Sequence, residues 1–297
     1  MLKSPSHVAL GVSNIESTAR FFQTFGFIRE SDAPIGAFAA QELYGLASAT
    51  SEARLVMPGA STGFLRLIES PLEPVHGGPF DRGAHAVDLY VRSMDHALMV
   101  VKNTHAAIGP VAAYQVGPLT VKECKCVGPD GLALVLIEVD KMRPSVLSSN
   151  PAALFSQVHS AVTVVDSIDA AAPFWKQAGL TSLLDATFAE PSVSTFMGLP
   201  RADTRLRLIL FAEAGQAPIR LEMIEFPDPD GRGAPVVDSV PLTPGRFTFG
   251  FEVDSPAAAA QAMPLATYSR NCKVGGRTVI AGLAPGGVRF ELWSVVA

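Results

Sequence analysis

Two stretches of the chain carry the same order of apolar and polar positions. HVALGV at 7–12 alternates as a half-buried strand does, and HSAVTV at 159–164 repeats it 152 residues later. Both open on a histidine, His7 and His159. Each is followed by a segment of helical periodicity that starts near an Asn or Asp and runs toward a glycine, Gly26 or Gly179. Phe22 and Phe174 each lie fifteen residues past their histidine. A repeat this long marks a duplicated domain rather than a solenoid.

The end of each half repeats as well. A Pro/Gly turn at 127–131 leads into the apolar run 132–139, and another at 283–287 leads into 288–295. The strand-helix opening recurs without its histidine at 87–101 and at 247–263. The pattern predicts four strand-helix-strands units, two in each half. Turn-forming stretches at 71–84, 143–151 and 228–246 connect them.

This pattern resembles the vicinal-oxygen-chelate superfamily, the clan of glyoxalases, bleomycin-resistance proteins and extradiol dioxygenases. The resemblance covers nearly the whole chain. It rests on the opening H-x-x-x-x-V with aromatics downstream, on RLEMIE at 220–225, and on PGGVRFEL at 285–292. It implies an α+β fold of four βαβββ modules, paired into two glyoxalase-like domains at 1–143 and 152–297. Each domain would curl a mixed sheet around a cavity, which in this clan usually holds one divalent metal.

Composition narrows the partners. At 297 residues the chain has room for two domains of about 150 residues, each with its own core. Apolar residues reach 48% and charged ones only 17%, so part of the apolar excess is expected to line cavities or a subunit contact. The net charge of −5 offers no basic footprint for nucleic acid or an acidic membrane. No apolar run reaches the roughly 20 residues of a membrane span and MLKSPSHVAL lacks a signal-peptide core, so a cytoplasmic monomer or homodimer is expected. Cys124, Cys126 and Cys272 are an odd number and form no disulfide framework.

The resemblance places metal ligands on the first and last strands of each paired module, and strand alternation lets one parity face the cavity. In the C-terminal half the matching positions are His159, Glu222, Thr248 and Glu291. One imidazole and two carboxylates suit Zn, Mn, Ni or Fe(II). Thr248 stands where a fourth ligand, often histidine, is expected, which counts against extradiol ring cleavage. The N-terminal half matches less well: His7 keeps a ligand position, Ala86 and Val135 do not, and Arg66 replaces an acid. A slip of one residue at a β-bulge would bring in His85, and another would bring in Glu138. Arg66 suits anion recognition or a salt bridge to Asp88.

The remaining motifs are weaker. GASTG at 59–63 matches G-x-S-x-G, but it joins two strands and reads as a hairpin turn. His76, His96 and His105 read as surface histidines, and no phosphate loop or dinucleotide fingerprint occurs.

Two functions follow from the resemblance. One is a metal-dependent lyase or isomerase acting on a small apolar or aromatic oxygenated substrate in the C-terminal cavity, with Glu222 or Glu291 moving a proton. The other is a metal-free small-molecule binding protein of the drug-sequestering type.

Overall fold

The computed structural model describes every residue except 76, 117, 142, 214–218, 229–240 and 296–297. The first module runs β1 (His7–Val12), α1 (Ile15–Gln23), β2 (Ile28–Ile35), α2 (Ala37–Tyr44), β3 (Thr50–Val56) and β4 (Phe64–Glu69). The second runs β5 (Gly83–Val91), α3 (Met94–Val101), β6 (Ala107–Val116), β7 (Leu119–Val127) and β8 (Ala133–Val139). A short helix, α4 (Val146–Ser149), leads to the third: β9 (Phe155–Val164), α5 (Ile168–Ala178), β10 (Thr181–Phe188), α6 (Pro191–Met197), β11 (Leu206–Ala212) and β12 (Arg220–Glu225). The fourth runs β13 (Phe247–Val253), α7 (Pro256–Gln261), β14 (Thr267–Tyr268), β15 (Cys272–Val274), β16 (Arg277–Ala284) and β17 (Val288–Ser294).

The modules pair differently from the expectation that each half closes its own cavity. One sheet has the order β14-β16-β17-β13-β1-β4-β3-β2 and so joins the first module to the fourth. The other has the order β10-β11-β12-β9-β5-β8-β7-β6 and joins the second to the third. The seams are antiparallel, β1 on β13 and β5 on β9. All four opening strands present similar alternating apolar edges, so the strand pattern does not select a partner, and the division into 1–143 and 152–297 does not follow the sheets.

Helix formation follows local rules. Asn14, Ser93, Ser167 and Ser255 cap α1, α3, α5 and α7, each side chain accepting a backbone N–H from the first turn. Glu138 and Glu225, the last acids of their strands, accept the first backbone N–H of α3 and α5. One apolar face of each helix packs between the sheets: Phe22 and Phe25 of the first module and Phe174 and Trp175 of the third share one continuous core. Trp175 stacks 5.9 Å from Phe251, and Phe25 meets Phe155 edge-on at 5.1 Å. Asp130 fastens the second module to the first by accepting the backbone N–H and hydroxyl of Ser13. Among the described residues no helix is long and apolar enough to cross a membrane.

The sequence pattern did not predict α2, α4 or α6, and the first and last of these govern the site. α2 lies on the inner face of the first sheet, where Ala40, Leu43 and Tyr44 cluster with Ile68, Val279 and Trp293. α6 occupies the corresponding place on the second sheet, where Val193 and Met197 cluster with Val135 and Val162.

Candidate functional site

Register decides which side chains share an inner face. On the first sheet His7 pairs with Gly250, Ala9 with Thr248 and with Arg66, and Gly250 with Glu291, so these positions point the same way. They form a filled, charged core. Arg66 Nη1 donates to Glu291 Oε2 at 2.7 Å, a second Arg66 nitrogen ion-pairs with Glu52, and Trp293 Nε1 donates to Glu291 Oε2 at 2.6 Å. The Arg66 guanidinium lies 4.0 Å over the Trp293 ring. His7 stacks on Phe64, with Nε2 3.7 Å from Glu291, and burial pushes its pKa down to about 4. Burial pushes the Glu291 carboxyl up, but the charge of Arg66 and the contacts with His7 and Trp293 outweigh it and hold the group below its ordinary value. Tyr44 and Leu43 of α2 pack over this network, and His7, Arg66, Glu291 and Tyr44 are all buried on the first sheet's inner face.

The second sheet keeps a hollow of about 140 Å³ on the equivalent face. Its walls are mainly apolar, with Val121, Val135, Val162, Leu206, Leu208 and Phe188 among them. Three carboxyl groups face it from three strands: Asp88 on β5, Glu123 on β7 and Glu222 on β12. Tyr114 Oη donates to Glu123 Oε2 at 2.7 Å. The Ser160 hydroxyl donates to Asp88 and lies 3.4 Å from Glu222 Oε2, so one proton serves two carboxyls. Burial and the neighbouring Glu222 hold Asp88 well above the usual carboxylate range. Burial pushes Glu123 up to about 7, and burial with the negative field of Glu123 pushes Glu222 up to about 8.

At one end of this hollow the His159 ring stacks on Tyr90 with centroids 3.7 Å apart, and Arg220 Nη1 lies 3.4 Å from His159 Nε2 and from Tyr90 Oη. Burial, then the charges of Arg220 and Arg143, keep His159 neutral. These four side chains also line a neighbouring space of about 590 Å³ reached by Gln157 and the 59–62 turn.

The carboxyl cluster makes stability depend on pH in a diagnostic window. The folded state holds protons on Glu222 and Glu123 that an unfolded chain, with glutamates near 4.5, has released. Their contribution is therefore lost as pH rises toward 8. The buried neutral histidines act oppositely, but only below their unfolded value of 6.5. Between about pH 6.5 and 8.5 these two carboxyls should cost about 2–3 kcal/mol and lower Tm by roughly 3–5 °C. Scanning calorimetry of Glu222→Gln should show a flatter profile; a wild-type Tm that is level or rising over this window contradicts the assignment.

The sequence-derived site divides between the two sheets. Glu291 belongs to the first, while His159 and Glu222 belong to the second, so His159, Glu222 and Glu291 form no single metal site. Arg66 does not reach Asp88, which lies on the other sheet; its partners are Glu52 and Glu291. The 152-residue echo is also one residue short of the structural repeat. Asn14 and Ser167 cap equivalent helices, Phe22 and Trp175 occupy equivalent buried places, and Gly26 and Gly179 have matching positive φ. Ser160, opposite Asp88, therefore takes the place of His7, and His159 falls where the β5–β9 register shifts. A second shift brings His85 to the cavity wall, whereas Glu138 stays outside, bound to Lys122 and the start of α3. Residues 59–63 form the turn between β3 and β4, His96 and His105 are exposed, and His76 lies outside the described residues.

These positions do not fit a divalent ion. The four ligand places on the first sheet hold His7, Thr248, Arg66 and Glu291, and the Arg66 guanidinium already supplies the positive charge for the carboxylate. Those on the second hold Ala86, Ser160, Val135 and Glu222. Among the described residues no three His, Cys, Asp or Glu side chains are placed to hold a metal. Asp88, Glu123, Tyr114 and Arg220 come together only in the fold, although Asp88 and Glu123 each interrupt the apolar parity of their strand.

No family model and no curated protein matches the sequence. Solved structures do match in shape. A glyoxalase I variant from Zea mays superposes with TM-score 0.66 at 13% identity, over 98% of this chain and 92% of that one. A putative dioxygenase from Bacillus subtilis subsp. subtilis str. 168 superposes with TM-score 0.67 at 12% identity, over 99% of this chain and 85% of that one. Four βαβββ modules in two curved mixed sheets, superposing end to end on these structures, give the chain the fold of the vicinal-oxygen-chelate superfamily.

Proposed function

We propose that the protein binds a small, largely apolar molecule in the hollow of the second sheet without a metal. The observation that carries this reading is the contrast between two equivalent faces of one fold. One is occupied by α2 and a buried ion-pair network; the other keeps about 140 Å³ of space lined by apolar side chains and a few polar groups. A hollow of that size suits a ligand of about one aromatic ring.

Calorimetric titration with toluene tests it. The wild type should bind one equivalent, and Val162→Phe or Ala86→Phe, which project into the hollow, should abolish binding while keeping the circular dichroism spectrum. Failure of the wild type to bind, or undiminished binding in both folded variants, overturns the proposal.

One observation favours a second reading, proton transfer within the same cavity. Glu222, with its pKa pushed up to about 8, can both accept and return a proton near neutrality. In that case Glu222→Gln abolishes turnover and leaves toluene binding intact.

A further inference from the structure

We propose that the ligand of the second-sheet cavity carries a protonated amine, seated among Asp88, Glu123 and Glu222. The inference rests on the cavity reading and adds the chemical class of its occupant. Three carboxyl groups converge on a mainly apolar hollow that Lys125, Arg143 and Arg220 also line, and among the described residues no cation forms an ion pair with any of the three. Once these carboxyls are ionised, the donors facing them among the described residues are few. Ser160 offers one proton to Asp88 and Glu222 together, and Tyr114 offers one to Glu123.

Asp88 supplies the independent sign of a missing partner. It is 2% exposed, faces the hollow, and among the described residues its Oδ1 has no hydrogen-bond partner. A buried acceptor left unpaired costs free energy comparable to a lost hydrogen bond, more if charged. An ammonium group brings three N–H donors and one positive charge, which matches this surplus of acceptors. The apolar walls formed by Val135, Val162, Leu208 and Phe188 would receive the rest of the ligand. An anionic ligand would seek the opposite end, where Arg220 Nε also lacks a partner among the described residues.

Phenethylamine, 2-phenylethanol and phenylacetate have nearly the same shape and differ in charge, so titrating the full chain with each at pH 8 separates the possibilities. The amine should bind at least about tenfold more tightly than the alcohol, the scale of a charge-assisted pair over a neutral one. In Asp88→Asn/Glu222→Gln that advantage should fall below about threefold while the alcohol still binds. Equal affinity for amine and alcohol, preference for phenylacetate, or an advantage that survives the double substitution overturns the inference and leaves the cavity reading standing. If none of the three binds, the cavity reading fails and the inference with it.

Discussion

Arg66→Ala should destabilise the folded chain by about 3–5 kcal/mol, because it strands the buried carboxylate of Glu291 and the half-buried one of Glu52 at once. Glu291 and Glu52 both lean on the guanidinium, and the other described groups beside the buried Glu291 carboxylate are Trp293 Nε1, which donates to it, and His7 Nε2 at 3.7 Å. Water cannot replace the lost charge under Tyr44 and Leu43. Chemical denaturation should show a lower midpoint with an unchanged slope. The triple change Arg66→Met, Glu52→Gln and Glu291→Gln should recover much of the loss, since neutral groups of similar shape demand no counter-charge. A loss below about 1 kcal/mol for Arg66→Ala would mean that this network is wet.

Gly250→Ala should cost about 3 kcal/mol, the upper end of the usual penalty for overpacking. Gly250 sits opposite His7 in the seam between the first and fourth modules, and a methyl group on it would overlap the imidazole ring. The ring cannot step aside, because it is stacked on Phe64 and its Nδ1 lies 2.9 Å from the Ser6 hydroxyl. Adding His7→Ala should restore most of the stability by making room for the methyl. If the double variant is no more stable than Gly250→Ala alone, the clash lies elsewhere. This prediction separates His7 as a packing residue from His7 as a ligand.

Much of the fold was legible in the chain, because strand alternation, helix caps and Pro/Gly turns are local signals. β8 and β17 begin within a residue of the apolar runs that announced them, and α3 and α7 begin within a residue of where they were expected. Module pairing was not legible from apolar pattern, since all four opening strands offer similar edges. Charge held a clue: Arg66 at an inner position of one module and Glu291 at an inner position of another are complementary, and they turn out to be partners. The histidine echo misled for a physical reason. A register shift can move a side chain by one residue without disturbing the strand pattern, so His159 repeats His7 in sequence while Ser160 repeats it in space. α2 and α6 escaped because AFAAQELY and PSVSTFM are short and carry little amphipathic contrast. Those two helices decide which inner face is closed.

The first sheet's inner face is occupied by α2 and an ion-pair network while its twin keeps a hollow, and xenon reports that difference directly, since it enters mainly apolar cavities of about this size. A crystal of the full chain equilibrated under xenon pressure should show an atom bounded by Val135, Val162 and Leu208 on the second sheet, and none between α2 and the inner face of the first. Xenon seated beneath Tyr44, or no xenon within the second sheet, would contradict it.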